Sequence, residues 1–156
     1  MTVIQVFTRP PVEGRVKTRL IPDIGVAAAT QIFRHCLDHA LTQTRLSGIE
    51  YQIWISEPST DPVFDGTNHY LQQGPDLGQR MLHAISSQIQ SDPVAHEKVV
   101  LIGSDCLDLS HDHLCQAIDA LSNYDLVLLP SYDGGFTLIG CRVIDLYESK
   151  RHRFGL

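Results

Sequence analysis

The sequence predicts an α/β domain built around a mainly parallel sheet. Short apolar runs rich in β-branched residues, such as 2–7 and 98–103, are typical of buried strands. Longer segments between them, such as 23–46 and 75–90, carry apolar residues at helical spacing. Strands that alternate with helices form βαβ units, which place their strands parallel in one sheet.

Local signals define the elements of the first half of the chain. The strand over 2–7 ends before two prolines, which cannot continue a central strand because proline lacks a backbone N–H donor. A helix is predicted over 23–46, and Gly48 marks its end. A second strand is predicted over 50–56, followed by a polar loop over 57–68.

The second half is predicted to contain a helix, a strand, a helix and two strands, over 75–90, 98–103, 109–122, 125–130 and 136–142. Asp76 is an acceptable N-cap for the first of these helices, at capping-box spacing from Gln79. Ser110 is the predicted N-cap of the second. Arg80, one turn into the first helix, is expected by default to form a surface salt bridge.

Composition and charge limit the classes of function. The chain has 156 residues, which fits one domain over 1–156, and a formal net charge of -6. An acidic protein lacks the extended basic face that broad nucleic-acid binding requires. No segment has the pattern of a signal peptide or a membrane span, so we expect a cytoplasmic protein that binds neither nucleic acid nor membrane.

A basic loop over 9–20 contrasts with this acidic total. Arg9, Arg15, Lys17 and Arg19 make up four of the 12 Lys and Arg residues. In an extended loop, residues 15, 17 and 19 would point the same way, and Gly14 would allow close backbone approach. This arrangement suits a nucleoside di- or triphosphate, although a solvated basic loop is an equal alternative. The spacing matches neither a P-loop nor GxGxxG.

Two acidic motifs follow other predicted strands. Ser104 and Asp105 come directly after the strand over 98–103, where a carboxylate could hold Mg²⁺ or Mn²⁺ or simply cap a turn. Asp133 precedes Gly134 and Gly135, a pattern that suits either a ligand contact or an ordinary turn between two strands. Because parallel sheets bind ligands beyond the carboxyl ends of their strands, these motifs and the basic loop could meet at one edge.

Four segments together resemble a known family. They read VFTRPPVEGRVKTRL, QQGPDLGQRMLHAI, VVLIGSDCLDL and DLVLLPSYDGGFTLIG. Their order and spacing are similar to those of the glycosyltransferase-like rSAM/selenodomain-associated transferase 1 family. More distantly, the chain resembles molybdenum cofactor guanylyltransferase and 2-phospho-lactate guanylyltransferase. The resemblance covers about residues 3 to 143.

This resemblance implies a GT-A-like fold, the three-layer α/β/α sandwich of nucleotide-diphospho-sugar transferases. It implies that the basic element Lys17, Thr18 and Arg19 faces nucleotide phosphates and that Asp105 is the metal-site aspartate. Two further sequence elements of the family correspond in this chain to Asp76, Gly78 and Arg80, and to Asp133, Gly134 and Gly135. The resemblance implies that these residues bind substrate. Phe136 stands where the family has an aromatic alcohol.

The implied function is a transferase that uses a nucleoside di- or triphosphate, with Mg²⁺ or Mn²⁺ as cofactor, for glycosyl or nucleotidyl transfer. Asp105 and Asp133 are the expected catalytic residues, and the substrate is a nucleotide or nucleotide-sugar. The alternative is a catalytically inactive nucleotide-binding or scaffold protein, because the family continues for tens of residues beyond this C-terminus. A C-terminally shortened sheet would also expose an apolar edge, which favours a homodimer with its interface near residues 137–156.

Overall fold

The computed structural model describes residues 1–91 and 97–142, apart from the side chains of 89–91. The strands are β1 Thr2–Thr8, β2 Glu50–Ile55, β3 His69–Leu71, β4 Lys98–Gly103, β5 Leu126–Pro130 and β6 Phe136–Arg142. The α-helices are α1 Ile21–Leu46, α2 Leu77–Ser91 and α3 His111–Ala120. Two short 3₁₀ helices lie at Thr18–Leu20 and Pro62–Phe64. No helix within the described ranges combines the length and apolar character needed to cross a membrane.

The strands form one sheet in the order β3-β2-β1-β4-β6-β5 across the described residues. β1 lies at its centre and pairs in parallel with β2 and β4, while β3 extends the parallel part from β2. β6 runs antiparallel to both β4 and β5. The predicted α/β fold with a mainly parallel sheet is therefore confirmed.

Helices pack against both faces of the sheet, because alternate strand residues point to opposite faces. In β1, Ile4 and Val6 join the larger core beneath α1 and α3, whereas Phe7 joins a smaller core beneath α2. Leu37 of α1 is fully buried in the first core, and Ala84 of α2 is fully buried in the second. These two layers hold the carboxyl ends of the strands in fixed positions.

The caps predicted for α2 and α3 are confirmed. Asp76 accepts a hydrogen bond from the backbone N–H of Gln79 at 2.8 Å, just before α2. At α3, Ser110 and His113 form a capping box, in which Ser110 N donates to His113 Nδ1 at 3.2 Å. Each cap satisfies backbone donors that the first turn of a helix cannot pair internally.

Three details differ from the sequence interpretation. β3 was not predicted, because three residues are too few to show an alternating pattern. α1 begins two residues before the predicted start and is broken at Gly25, whose φ of 84° and ψ of 166° are not helical. The predicted polar loop contains the 3₁₀ turn Pro62–Phe64, which places Phe64 in the core at 1% exposure.

The proposed dimer interface falls partly outside the described residues. Residues 143–156 are not described, and β6 is not a free edge because it lies between β4 and β5. Among the described strands, β5 is the edge on this side, with Leu126 and Leu128 exposed. The homodimer stays a prediction.

An ion pair joins α1 to the segment before Phe64. The Arg34 guanidinium donates to Asp61 Oδ2 at 2.6 Å and to Oδ1 at 3.2 Å, and Asp61 also accepts from Val63 N at 3.0 Å. The hydrogen bond from Arg34, more than any other contact, lowers the pKa of Asp61. Because the folded protein favours the ionised form, this carboxylate contributes stability above the ordinary aspartate pKa and loses it as pH falls through the lowered value.

We expect Asp61→Asn to reduce the free energy of unfolding at pH 7 by about 0.5–1 kcal/mol, the usual worth of such a partly exposed pair. The deficit should begin to shrink as the pH falls below about 3.9, where the carboxyl of the unfolded chain takes up a proton, and it should vanish below the lowered pKa of the folded protein. Urea unfolding at several pH values measures this difference. Asp65→Asn, which removes an exposed carboxylate four residues away, is the control. A deficit that stays constant down to pH 2 would contradict the role given to the charge.

Candidate functional site

A cleft of about 830 Å³ opens at the carboxyl edge of the sheet. All four parallel strands contribute residues at or directly after their ends, namely Thr8 and Arg9, Ser56, Gln72, and Gly103 to Asp105. This is the edge at which parallel α/β sheets bind ligands. We call this opening the carboxyl-edge cleft.

The cleft collects many of the site residues expected from the sequence. Seven of them line it, namely Arg9, Lys17, Arg19, Arg80, Ser104, Asp105 and Asp133. Six others do not appear in its lining, namely Gly14, Arg15, Asp76, Gly78, Gly134 and Gly135. Among these six, Arg15 pairs with Glu57, and Asp76 accepts a hydrogen bond from Gln79 N. Gly14 and Gly134 have positive φ values of 79° and 88°.

The backbone of the basic loop is not extended, so the prediction that residues 15, 17 and 19 point the same way is wrong. Lys17 adopts a left-handed conformation with φ 49° and ψ 39°, and the 3₁₀ turn Thr18–Leu20 follows. These conformations break the two-residue alternation of extended chain. Arg15 instead donates to Glu57 Oε2 at 2.8 Å, with 61% of its side chain exposed. Arg9 donates to the Arg15 carbonyl oxygen at 3.3 Å, which ties the loop to itself.

An ion pair crosses the carboxyl-edge cleft. Lys17 Nζ donates to Asp105 Oδ1 and so connects the basic loop to the end of β4. The Lys17 side chain is 22% exposed, whereas that of Asp105 is 69% exposed. The carboxylate therefore keeps much of its surface open to a ligand while it is paired.

Arg80 forms no salt bridge among the residues that the structure describes; its Nε donates to the Gly74 carbonyl oxygen at 3.0 Å. This contact holds the guanidinium at the mouth of the cleft, near the start of α2. Gly74 has a φ of 139°, and a Cβ there would lie 2.9 Å from Gln79 Cβ. A larger residue at this position would push the turn away from α2 and move the anchor of Arg80.

Three polar, uncharged residues of the cleft, Thr8, Ser56 and Gln72, were missed by sequence reasoning. Gln72 Nε2 donates to the carbonyl oxygens of Thr8 at 3.0 Å and Trp54 at 2.8 Å, which joins the ends of neighbouring strands. Ser104 Oγ donates to Thr8 Oγ1 at 2.9 Å. Ser56 lies in the lining directly after β2. No local sequence pattern distinguishes Thr8, Ser56 or Gln72, since their position depends on strand pairing.

Asp133 lies in the turn between β5 and β6 and also lines the carboxyl-edge cleft. Its carboxylate accepts from Ser131 Oγ and from Gly135 N at 3.1 Å. The Ser131 hydroxyl, followed by the Gly135 N–H, holds the pKa of Asp133 below its usual value. The structure therefore shows the turn, and it places the carboxylate in the lining of the cleft; a ligand contact by Asp133 stays a prediction.

The donor groups of the cleft suit a cation held partly by substrate. Within 1–91 and 97–142, no cluster of three or more His, Cys, Asp or Glu side chains could hold a metal. Mg²⁺ commonly binds through one or two carboxylates together with substrate phosphates and water, not through a complete protein cage. Asp105, exposed and beside cationic side chains, fits that kind of site.

Solved structures share this fold. One match is a candidate nucleotide-diphospho-sugar transferase from Desulfovibrio desulfuricans G20, with a TM-score of 0.82 and 30% identity over 90% of this chain and 63% of that one. A cytidylyltransferase from Leptospira borgpetersenii serovar Hardjo-bovis matches with a TM-score of 0.56 and 16% identity, over 99% of this chain and 65% of that one. A CMP:2-keto-3-deoxy-manno-octonic acid synthetase complexed with CTP matches with a TM-score of 0.52 and 10% identity, over 96% of this chain and 77% of that one.

These likenesses confirm the nucleotide-diphospho-sugar transferase, or GT-A-like, fold. The chain spans less than two thirds of the length of the Desulfovibrio protein. No curated protein matches the chain with statistical significance. One family profile matches residues 31–154, most of the chain, and the protein therefore belongs to DUF2064, described as uncharacterized protein conserved in bacteria.

Proposed function

We propose that this protein is a transferase that binds a nucleoside di- or triphosphate in the carboxyl-edge cleft and transfers a glycosyl or nucleotidyl group. One observation carries the proposal. A protein of net charge -6 places four cations and two carboxylates around a single cleft at the ends of its parallel strands. The fold shared with nucleotide-sugar transferases and cytidylyltransferases supports the same class of substrate.

The cationic side chains are suited to phosphate oxygens. Lys17, Arg19 and Arg80 approach the cleft from two separate segments, the basic loop and the start of α2. Charge-assisted hydrogen bonds to phosphate are about twice as strong as neutral ones, and arginine can bind two phosphate oxygens at once. These three residues would neutralise the substrate phosphates, with Arg9 beside them.

Asp105 would hold Mg²⁺ or Mn²⁺ together with the phosphates. Such a cation, when bound, neutralises phosphate charge and stabilises the oxygen that leaves. Asp133, whose pKa is lowered further by its Ser131 and Gly135 contacts, would accept a hydrogen bond from the acceptor hydroxyl and orient it. An ionised carboxylate cannot serve as a general acid, so protonation of the leaving group is not assigned to it.

Two bond cleavages remain open for this cleft. In glycosyl transfer, the bond between the sugar anomeric carbon and the diphosphate breaks, and a nucleoside diphosphate leaves. In nucleotidyl transfer, the bond between the α- and β-phosphates breaks, and pyrophosphate leaves. CTP is a reasonable first probe because one structural neighbour is complexed with it. Membership of the rSAM/selenodomain-associated transferase 1 family is part of this proposal.

A second candidate is a catalytically inactive nucleotide-binding or scaffold protein. The observation that favours it is the Lys17–Asp105 ion pair, which occupies one oxygen of the proposed metal ligand. An inactive protein would bind nucleotide through the same cations without forming product. Turnover, not binding, separates the two candidates.

The test has two stages. Isothermal titration calorimetry with CTP, GTP, UTP and UDP-glucose, each with and without Mn²⁺, is expected to show binding of at least one nucleotide. Phosphorus NMR of the best binder, incubated with mixtures of sugar and phosphosugar acceptors, then identifies pyrophosphate or nucleoside diphosphate release. Binding without any product would favour the inactive candidate. No binding of any nucleotide at millimolar concentration would contradict both.

A further inference from the structure

We propose that Lys17 acts as a removable substitute for the divalent cation at Asp105, pairing with this carboxylate in the free protein and moving to the phosphates when nucleotide binds. This inference rests on the proposed function, because it assigns Asp105 to the cation and Lys17 to the nucleotide. It adds a consequence that the proposed function does not contain. Cation and nucleotide should each bind weakly alone and strengthen each other, and part of this coupling should pass through Lys17.

The first support is the contact itself. Lys17 Nζ lies on Asp105 Oδ1, although the two residues are 88 positions apart in the chain. Among the residues that the structure describes, Lys17 is the cation that pairs with Asp105. Arg9, Arg19 and Arg80 line the same cleft without joining this pair. The cleft therefore holds other cations that could stay in place while Lys17 moves.

The second support is the backbone at Lys17. Among the described non-glycine residues, it has the one positive φ, at 49°. Its carbonyl oxygen accepts from Leu20 N at 2.9 Å, which starts the 3₁₀ turn that carries Arg19. Non-glycine residues in this region are strained and tend to occur at ligand sites. The strained anchor fixes the start of a flexible four-carbon side chain, whose ammonium can reach either partner by rotation.

The third support is electrostatic. Asp105 cannot hold a divalent cation and the Lys17 ammonium at the same oxygen, because two positive charges a few ångströms apart repel each other. Without nucleotide, the ammonium competes directly for the carboxylate. With nucleotide, the phosphates offer Lys17 a second anionic partner and release Asp105. Both ligands then favour the same arrangement, and linkage requires each to raise the affinity of the other by an equal factor.

Competition between Lys17 and Mn²⁺ for Asp105 predicts that removal of the lysine charge strengthens Mn²⁺ binding and weakens CTP binding. Lys17→Met keeps most of the length of the side chain and removes its charge. Binding of Mn²⁺ alone should tighten about fivefold or more, because a unit positive charge near the metal ligand has gone. Binding of CTP alone should weaken, because a phosphate partner has gone. The mutual enhancement of Mn²⁺ and CTP, about fivefold or more in the wild type, should decrease in Lys17→Met, while the part that comes from direct contact between Mn²⁺ and the phosphates should remain.

The experiment measures free Mn²⁺ by electron paramagnetic resonance, with and without CTP, and CTP binding by calorimetry. The proteins are the wild type, Lys17→Met and the double variant Lys17→Met/Asp105→Asn. Lys98→Met is the matched control, since Lys98 lies at the start of β4 and donates to Ile118 O and Ser122 Oγ, away from the cleft. We expect tighter Mn²⁺ binding in Lys17→Met alone, with the control like the wild type.

Three other outcomes would overturn the inference, and each would have a different meaning. If Mn²⁺ binds equally to wild type and Lys17→Met while CTP and Mn²⁺ still enhance each other, the exchange is wrong and the proposed function stands. If the gain persists in the double variant, the cation binds elsewhere than Asp105. If Mn²⁺ and all of the nucleotides tested by calorimetry fail to bind the wild type and both variants, the exchange and the proposed function fail together.

Discussion

Asp105→Asn is expected to lower the affinity for nucleotide in the presence of Mn²⁺ by about 10–100-fold or more. Mutation of residues that only orient a metal ligand already costs this much metal affinity, and Asp105 would be the ligand itself. The amide keeps the shape of the side chain and removes the charge that attracts a hard cation. Affinity without cation should not fall, because the variant leaves Lys17, Arg19 and Arg80 in the cleft and frees Lys17 from its ion pair. Calorimetry with and without Mn²⁺ measures both quantities.

Asp108→Asn is the matched control for this substitution. Asp108 follows β4 five residues after its last residue and is exposed, and it does not line the carboxyl-edge cleft. The same change of carboxylate to amide there should leave both affinities unchanged. Equal dependence on Mn²⁺ in wild type and Asp105→Asn would remove Asp105 from the proposed cation site. Since Asp105 is 69% exposed, loss of folding is not expected to obscure the result.

Phe64→Ala is expected to reduce the free energy of unfolding by about 3–5 kcal/mol, the usual cost of removing a buried phenyl ring. The ring is 1% exposed and packs into the larger core, although it belongs to a short turn outside the main helices and strands. Its loss leaves a cavity that the fixed strands and α1 cannot readily fill. Urea unfolding followed by circular dichroism measures the change.

Phe136→Ala provides the comparison for the same chemical change. Phe136 begins β6 and is 44% exposed, so its truncation should cost no more than about 1 kcal/mol. Similar destabilisation in the two variants would show that Phe64 is not part of the core in solution. A large effect in Phe64→Ala alone would support the packing of the segment 57–68 onto the domain.

The long elements could be predicted because their residues carry their own pattern. β1 and β4 are apolar runs, and Asp76 and Ser110 are capping residues with local partners. Phe64 shows the limit of this reasoning. Prolines, acidic residues and glycine surround it, and composition therefore indicates a surface loop. Its burial depends on the core beneath α1, which is not visible in the local sequence.

The cleft was predictable in outline and not in detail. Lys17, Asp105 and Asp133 lie at strand ends or in the basic loop, and the edge rule for parallel sheets brings such segments together. The orientation of Arg15 was not predictable, because it depends on the left-handed backbone at Lys17 and on Glu57 in another segment. Gln72 was missed because its role depends on β3, whose three residues show no pattern.

A crystal structure of the protein with CTP and Mn²⁺, or with the nucleotide that binds best by calorimetry, tests the central claim most directly. We expect the phosphates within hydrogen-bond distance of Lys17, Arg19 and Arg80. Mn²⁺ should lie between Asp105 and the phosphate oxygens, with Lys17 no longer on this carboxylate. Nucleotide bound outside the carboxyl-edge cleft, or Mn²⁺ held without Asp105, would contradict the assignment of this cleft as the nucleotide site.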